Sequence, residues 1–300
     1  METQRLAHPH VHTRKDWRER LFPRNNREKS KIIGQALCYD ASHNLYSVVP
    51  NAIPPNMIYA MELGARALVD VWPFIHDRLL DIGCGNRPYS LLIDSLVSRY
   101  VGIDLPSQLE DGQTDLWVDG KSLPFRLESF DTVLLIDTVY KVPSPMHLLR
   151  EANRVLKPDG HLVLMTSNAV LRDKPIYAKY TPYGLRLLAE QNGFNIQILR
   201  TKGNILPFVF NLAVQMMYRL LRRDNYIRPA KMNGRLTNVE WYDRPMIQLQ
   251  KMLLKFTPQS SVLGQVAWAE TEGTSSIAGR FHLGHLMVAK KIFRLNEFDY

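Results

Sequence analysis

Only two cysteines, Cys38 and Cys84, occur in 300 residues. Neither sits in paired or metal-ligand spacing, which argues against a disulfide framework and a zinc site. Acidic residues are also scarce: 29 Asp and Glu stand against 38 Lys and Arg, a formal net charge of +9. That excess favours anionic partners such as phosphorylated substrates, nucleic acid or an acidic membrane surface, and a solvated basic surface accounts for it equally well. The apolar stretch "ILPFVFNLAVQMMYRLL", residues 205–221, falls short of the roughly 20 residues a membrane-crossing helix needs and carries Arg219 near its end. The start of the chain is polar and basic without an apolar run behind it, so a secretory signal is not expected and a reducing, cytoplasmic setting is. What the chain does have is 45% hydrophobic content, enough to bury one large domain with additions.

Residues 1 to about 35 are rich in Arg and Lys and lack sustained periodicity, and residues 1–50 are assigned to a basic N-terminal arm. His8, His10 and His12 alternate there without a cysteine or carboxylate cluster to complete a metal site. From Asn56, a plausible N-cap, Met57, Ala60, Met61, Ala67, Leu68 and Val71 recur at helical spacing. Short apolar runs then alternate with helical segments. Leu79-Leu80 leads into Asp81, "YVGI" into Asp104, "LWV" into Asp119 and "FDTVLLI" into Asp137. "PSPMHLLREANRVLKPDG" reads as a helix with Leu148, Leu149, Ala152, Val155 and Leu156 on its apolar face, ended by "KPDG". "HLVLMTS" is a fifth strand, "TPYGLRLLAEQNGF" a helix stopped by Gly193, and "FNIQIL" a sixth strand. The alternation predicts a mainly parallel sheet covered on both faces, which binds ligands outside the carboxyl ends of its strands where the winding reverses.

In "LLDIGCGNRPYS", residues 79–90, two glycines follow the first strand directly and a helix is expected after them. Their bare backbone admits a ligand to the turn, and the helix N-terminus offers N–H donors. Two glycines alone would equally make a tight turn with no ligand. Asp104, 23 residues beyond Asp81, stands near the distance at which a dinucleotide-type fold presents an acid to ribose hydroxyls, so a ribose is expected.

The motifs "DIGCGNRPY", "YVGIDLP", "VDGKSLPF", "FDTVLLIDTVYKVPSP" and "REANRVLKPDGHLVL" resemble, in order and spacing, the class I S-adenosylmethionine-dependent methyltransferases over about residues 75–200. The turn, "GIDLP" and the "YTPYGLR" helix start also resemble methyltransferase-like proteins of bacterial envelope and polysaccharide gene clusters. The resemblance implies S-adenosyl-L-methionine as cofactor, on a Rossmann-like seven-stranded, mainly parallel sheet with helices on both faces. It implies that Asp81, Gly83, Cys84 and Gly85 line the methionine end, Asp81 accepting from the ammonium. Asp104 would take both ribose hydroxyls, Leu105 pack on the adenine, Asp119 and Gly120 meet its amino edge, and Asp137 close the methionyl side. No metal is implied. Each Asp taken singly is as well explained as a strand-end cap.

Two departures stand out. Arg87, followed by Pro88, replaces a third glycine, and Tyr140-Lys141 stands where related enzymes often carry Glu-His. Lys141 is expected to contact an anionic acceptor, and acts as a base only if burial lowers its pKa. Tyr140 donates to the acceptor or packs. Tyr177 and Tyr180 are candidates for one wall of the acceptor pocket, or pack the following helix, and Trp241 and Tyr242 line a substrate pocket or anchor a loop.

The core is expected over 51–202, a mostly helical insertion and acceptor lid over 203–283, and the last, antiparallel strand with a tail over 284–300. Asn211, Gln215 and Arg219 recur at spacing four, so an amphipathic helix is expected that covers the core, closes the site, makes a dimer face or rests peripherally on a membrane. For His282 and His285 a structural role is expected. The expected function is methyl transfer to an oxygen of a small metabolite, glycan or lipid-linked intermediate. The alternatives are a catalytically silent cofactor-binding scaffold and, last, nucleic-acid methylation, for which the Asn/Asp-Pro-Pro-aromatic signature is lacking.

Overall fold

The computed structural model describes residues 58–85, 87–105, 114–120, 122–167, 176–202 and 284–292. It also describes short strands at 37–40, 45–48, 231–232, 235–236 and 263–265, and the helical residues 209, 212, 213, 216, 217, 220 and 248. All of them belong to the unit Gly34–Tyr300. The first elements are an antiparallel pair, β1 (Leu37–Asp40) with β2 (Leu45–Val48), inside the stretch assigned to the arm. Helix α1 (Ile58–Asp70) follows and buries Met61, Ala67 and Leu68 of the expected apolar face, and also Leu63, Ala65, Glu62 and Arg66 outside it.

The main sheet begins with β3 (Asp77–Ile82), whose first two residues are exposed and last four buried. After it come the four-residue helix α2 (Ser90–Ile93), β4 (Val97–Asp104), β5 (Leu116–Trp117) and β6 (Phe130–Ile136). Helix α3 (Pro145–Val155) has Pro145 in its first turn and buries Leu148, Leu149, Ala152 and Val155. It ends at Val155, one residue before the expected apolar face does, and "KPDG" forms the irregular opening of β7 (Leu156–Ser167) with Asp159 at φ 64°. Helix α4 (Pro182–Glu190) is capped by Thr181, whose hydroxyl accepts from the Gly184 N–H at 3.0 Å. Gly193, at φ 77°, turns the chain into β8 (Phe194–Lys202). Asn153 of α3 donates to the Asn192 carbonyl at 3.0 Å, tying both helices together beneath the sheet.

The later strands are the paired β9 (Lys231–Met232) and β10 (Arg235–Leu236), then β11 (Leu263–Gln265) and β12 (Gly284–Lys291). The sheet order is β11-β8-β12-β7-β6-β3-β4-β5. Strands β5, β4, β3, β6 and β7 pair in parallel, whereas β12 runs antiparallel to both neighbours, β7 and β8. The seven expected strands are present, and β11 adds an eighth, antiparallel to β8. Residues 203–283 therefore supply strands as well as the helical positions among their described residues.

Strands β6 and β12 are buried almost throughout, as central strands covered on both faces must be. From β3 the chain winds outward through β4 and β5, then returns to β6 on the other side of β3. The reversal leaves a crevice at the carboxyl ends of β3 and β6. Among the described residues no helix is long and apolar enough to cross a membrane. The helical positions Val209, Met216 and Leu220 are nevertheless exposed, Leu220 to 79%. Phe208 lies outside the described residues.

Candidate functional site

The chain leaves β3 through Gly83 at φ 80° and Gly85 at φ 52°, a backbone that side-chain-bearing residues adopt only at a cost. A Cβ on Gly83 would run into Thr138 just beyond β6, whereas a Cβ on Gly85 would meet nothing within 4 Å. Gly83 is thus needed for packing, and Gly85 opens outward. The loop is fastened to β4 by the Gly83 and Cys84 N–H groups, which donate to the Ile103 carbonyl at 2.8 and 3.1 Å. It is fastened to β6 by Thr138, whose hydroxyl lies 3.0 Å from the Ile82 carbonyl. The helix after the loop, α2, is a single turn, and the loop N–H groups are taken up within the protein: those of Gly83 and Cys84 by Ile103, that of Gly85 by Asp104 and that of Arg87 by Cys84.

Asp104 ends β4. Its Oδ2 accepts from the Gly85 N–H at 2.8 Å and its Oδ1 from the Leu105 N–H at 2.7 Å. Each carboxylate oxygen retains a second lone-pair direction for another donor, so this geometry can receive a pair of vicinal hydroxyls. Leu105 beside it is 53% exposed, an apolar surface with room for a flat ring. Val118 donates to the Asp104 carbonyl at 2.8 Å, bringing the exposed Asp119 and half-buried Gly120 alongside. Gly120 faces Ile82 and Leu148, with little space for a side chain.

Asp81 lies beneath this loop, fully buried. Its Oδ2 accepts from the Tyr100 hydroxyl, and its Oδ1 has no hydrogen-bond partner among the described residues. Burial pushes its pKa up to about 6, against the pull of the Tyr100 hydrogen bond and the nearby Arg87 guanidinium. An unsatisfied buried carboxylate oxygen is costly and is suited to a cationic donor from a ligand. Cys84 is a free thiol whose pKa burial raises to about 11, so it is a lining group, not a nucleophile.

Arg87 fills the third-glycine position at φ 47°, the left-handed region that explains why glycine suits it. Its side chain crosses Gly102, stacks on the Tyr100 ring at 4.7 Å and pairs with Asp115. Asp115 also accepts from the Gly102 N–H at 2.7 Å. Sequence reasoning missed this Asp81-Tyr100-Arg87-Asp115 chain. Its only signal was a tyrosine and a glycine two residues apart on β4, on the same face.

On the other side of the crevice Asp137, at φ 53°, accepts from the Ser167 hydroxyl at 2.6 Å. The short 3-10 turn Val139–Lys141 buries Tyr140 and leaves Lys141 half-exposed, its ammonium 5.3 Å from the Tyr140 ring. The Tyr177 N–H donates to the Tyr140 carbonyl at 2.9 Å, although the Tyr177 side chain is itself exposed. Tyr180 is half-buried, and its carbonyl lies 2.9 Å from Nε2 of the buried His285. The structure thus gathers Asp81, Gly83, Cys84, Gly85, Asp104, Leu105, Asp119, Gly120 and Asp137 at one end of the sheet. Tyr140, Lys141, Tyr177 and Tyr180 flank them. Trp241 and Tyr242 lie outside the described residues. At the opposite end His76, Asp77 and Asp131 hold ligand atoms within 4.8 Å of one another, but the Lys157 ammonium already donates to both Asp131 oxygens at 2.8 Å.

Residues 80–164 match the family model described as a methyltransferase domain. Among curated proteins, 27-O-demethylrifamycin SV methyltransferase of Amycolatopsis mediterranei is 30% identical over 29% of this chain and 38% of its own length. Ubiquinone biosynthesis O-methyltransferase of Actinobacillus pleuropneumoniae is 25% identical over 37% and 54%, and tRNA U34 carboxymethyltransferase of Saccharophagus degradans 31% over 34% and 35%. The chain therefore spans about a third to a half of the length of these relatives. A solved SAM dependent methyltransferase from Archaeoglobus fulgidus aligns over 77% of this chain and 94% of its own at 17% identity, with a TM-score of 0.44.

Proposed function

We propose that this chain, which through residues 80–164 belongs to the S-adenosylmethionine-dependent methyltransferases, transfers a methyl group to an oxygen of a small hydroxylated molecule, free or carried on a glycan or lipid. The observation that carries the reading is Asp81: a buried carboxylate with an unsatisfied oxygen, under a glycine loop pinned by a second carboxylate. That pairing suits a ligand with an ammonium at one end and ribose hydroxyls at the other. In this assignment Asp81 holds the ammonium, with Gly83, Cys84 and Gly85 around the methionine end. Asp104 receives the ribose hydroxyls, Leu105 covers one face of the adenine, and Asp119 with Gly120 meets its edge. Asp137 closes the methionyl side.

Bound S-adenosylmethionine supplies a sulfonium methyl, so the protein's task is alignment and exclusion of water. Tyr140, Tyr177, Tyr180 and Lys141 are assigned to the acceptor side, with Trp241 and Tyr242 as further wall residues. Two of the relatives named above are O-methyltransferases or act at a named oxygen, which supports an oxygen acceptor. The exposed Val209, Met216 and Leu220 support an amphiphilic acceptor, presented in solution or at the membrane surface. An origin among envelope-glycan enzymes rests on the turn, "GIDLP" and "YTPYGLR" motifs alone.

Equilibrium dialysis against tritiated S-adenosylmethionine tests the donor half. Transfer of the label to 3,4-dihydroxybenzoate, and to lipid and glycan extracts, tests the acceptor half. Bound cofactor with no label moved to any of them would favour the silent scaffold, which Tyr140-Lys141 in place of Glu-His prompts.

A further inference from the structure

We propose that Lys202 is the group that takes the proton from the methyl acceptor, which is therefore an ionisable hydroxyl seated between Lys202 and the Asp137-Ser167 pair. The inference rests on the methyltransferase reading above and adds a residue that motif and spacing did not single out.

Lys202 is the last residue of β8 and is 2% exposed. A lysine is almost never so buried unless it is paired or has work to do there. Strand register places it opposite Gly284 of β12, and Gly284 opposite Ser167 at the end of β7. Directly opposed residues share a face, so Lys202 and Ser167 stand on one side of the sheet with only a glycine between them. That glycine is obligatory, because a Cβ there would collide with the Thr166 carbonyl. Ser167 in turn donates to Asp137, which follows β6 in the crevice opposite the Asp81 loop. A row of three groups, carboxylate, hydroxyl and amine, thus spans the carboxyl ends of β6, β7 and β8.

Lys291 shows what a structural buried lysine looks like in this fold: its ammonium donates to the Leu156 carbonyl at 2.7 Å and lies 3.7 Å from Glu128. No such bond joins Lys202 Nζ to another described residue. Among the described residues, Asp137 is the charged group that acts on the Lys202 ammonium. His285 on β12 faces the Tyr180 carbonyl, and β11 offers Leu263, Gly264 and Gln265 without a titratable group. Burial pushes the Lys202 pKa below the ordinary lysine value, partly opposed by Asp137, which leaves a neutral amine accessible nearer neutrality. In the step proposed, the acceptor O–H bond breaks and its proton bonds to Lys202 Nζ, while the electron pair stays on oxygen and forms the new bond to the methyl carbon as the donor's carbon–sulfur bond breaks and its pair returns to sulfur, which leaves as the neutral thioether. The ammonium so formed faces Asp137 and releases its proton to water once product leaves.

Competitive acetylation of the full chain by acetic anhydride between pH 5 and 10, read by peptide mass spectrometry, tests this. Lys202 should be acetylated in the folded protein with a midpoint below that of a free lysine side chain. Asp137→Asn should move that midpoint lower still. Lys202→Met should keep S-adenosylhomocysteine affinity within about twofold, since the amine serves the acceptor and not the cofactor. No acetylation, an ordinary midpoint, or lost cofactor affinity in a folded Lys202→Met protein would overturn the assignment. If the wild-type chain binds no S-adenosylhomocysteine, the methyltransferase reading fails instead, whatever Lys202 does.

Discussion

Lowering the pH from 7.5 to 5 should discharge Asp81 while most carboxylates stay ionised. With a pKa of about 6, about nine molecules in ten carry it neutral at pH 5, against fewer than about one in twenty at pH 7.5. If the carboxylate is what receives the cofactor's ammonium, only the ionised fraction binds well, and apparent affinity falls about tenfold over this interval. The ligand-free protein should show the opposite slope in stability. The folded state keeps the Asp81 proton between about pH 4 and 6, where the unfolded chain has released it, so stability declines as pH rises through that window. The full effect is about 3 kcal/mol, the product of a shift of about two units and 1.36 kcal/mol each. Calorimetric titration with S-adenosylhomocysteine at pH 5, 6 and 7.5 reads the first slope, and melting without ligand reads the second. Asp81→Asn should bind weakly and show neither slope. A flat wild-type affinity profile, or an equal fall in Asp81→Asn, would refute the assignment of Asp81 to the ammonium.

Arg87→Ala removes the positive charge that pulls the Asp81 pKa down, so the midpoint of the affinity profile should move to higher pH, measured in the same titration. Gly83→Ala forces a side chain into the left-handed region and against Thr138, and should cost about 1 to 3 kcal/mol in chemical denaturation. Lys141→Ala should leave S-adenosylhomocysteine affinity unchanged while reducing label transfer at least tenfold; equal loss of both would move Lys141 to the cofactor side.

Much of this arrangement could be read along the chain because four of the five parallel strands, β3, β4, β5 and β6, are short runs that lead into a carboxylate. Asp81, Asp104, Asp119 and Asp137 announce the carboxyl edge of the sheet, and Gly83 and Gly85 mark the turn on which a ligand can lie. The cross-strand partners were hidden, since register is set by packing and leaves no local signature. Tyr100 reads as one more strand residue until β4 pairs with β3 and brings its hydroxyl to Asp81. Arg87 reads as a lost glycine, yet it keeps the glycine-like backbone and spends its side chain on Tyr100 and Asp115. Lys202 looks like a polar end to an apolar strand, and its burial follows only from β12 and β11 closing on either side of β8. The short strand β11 gave no periodic signal at all, being three residues long.

The central claim is that Asp104 and the glycine loop form a nucleoside site, and calorimetry with S-adenosylhomocysteine on the wild-type chain and on Asp104→Ala tests it most directly. Removing the carboxylate strands two ribose hydroxyls and frees the Gly85 and Leu105 N–H groups, a loss of roughly 2 to 3 kcal/mol. The account therefore expects one site per wild-type chain and an affinity about 30-fold to 150-fold weaker in the folded variant. No binding by the wild type, or equal affinity in Asp104→Ala, would contradict it.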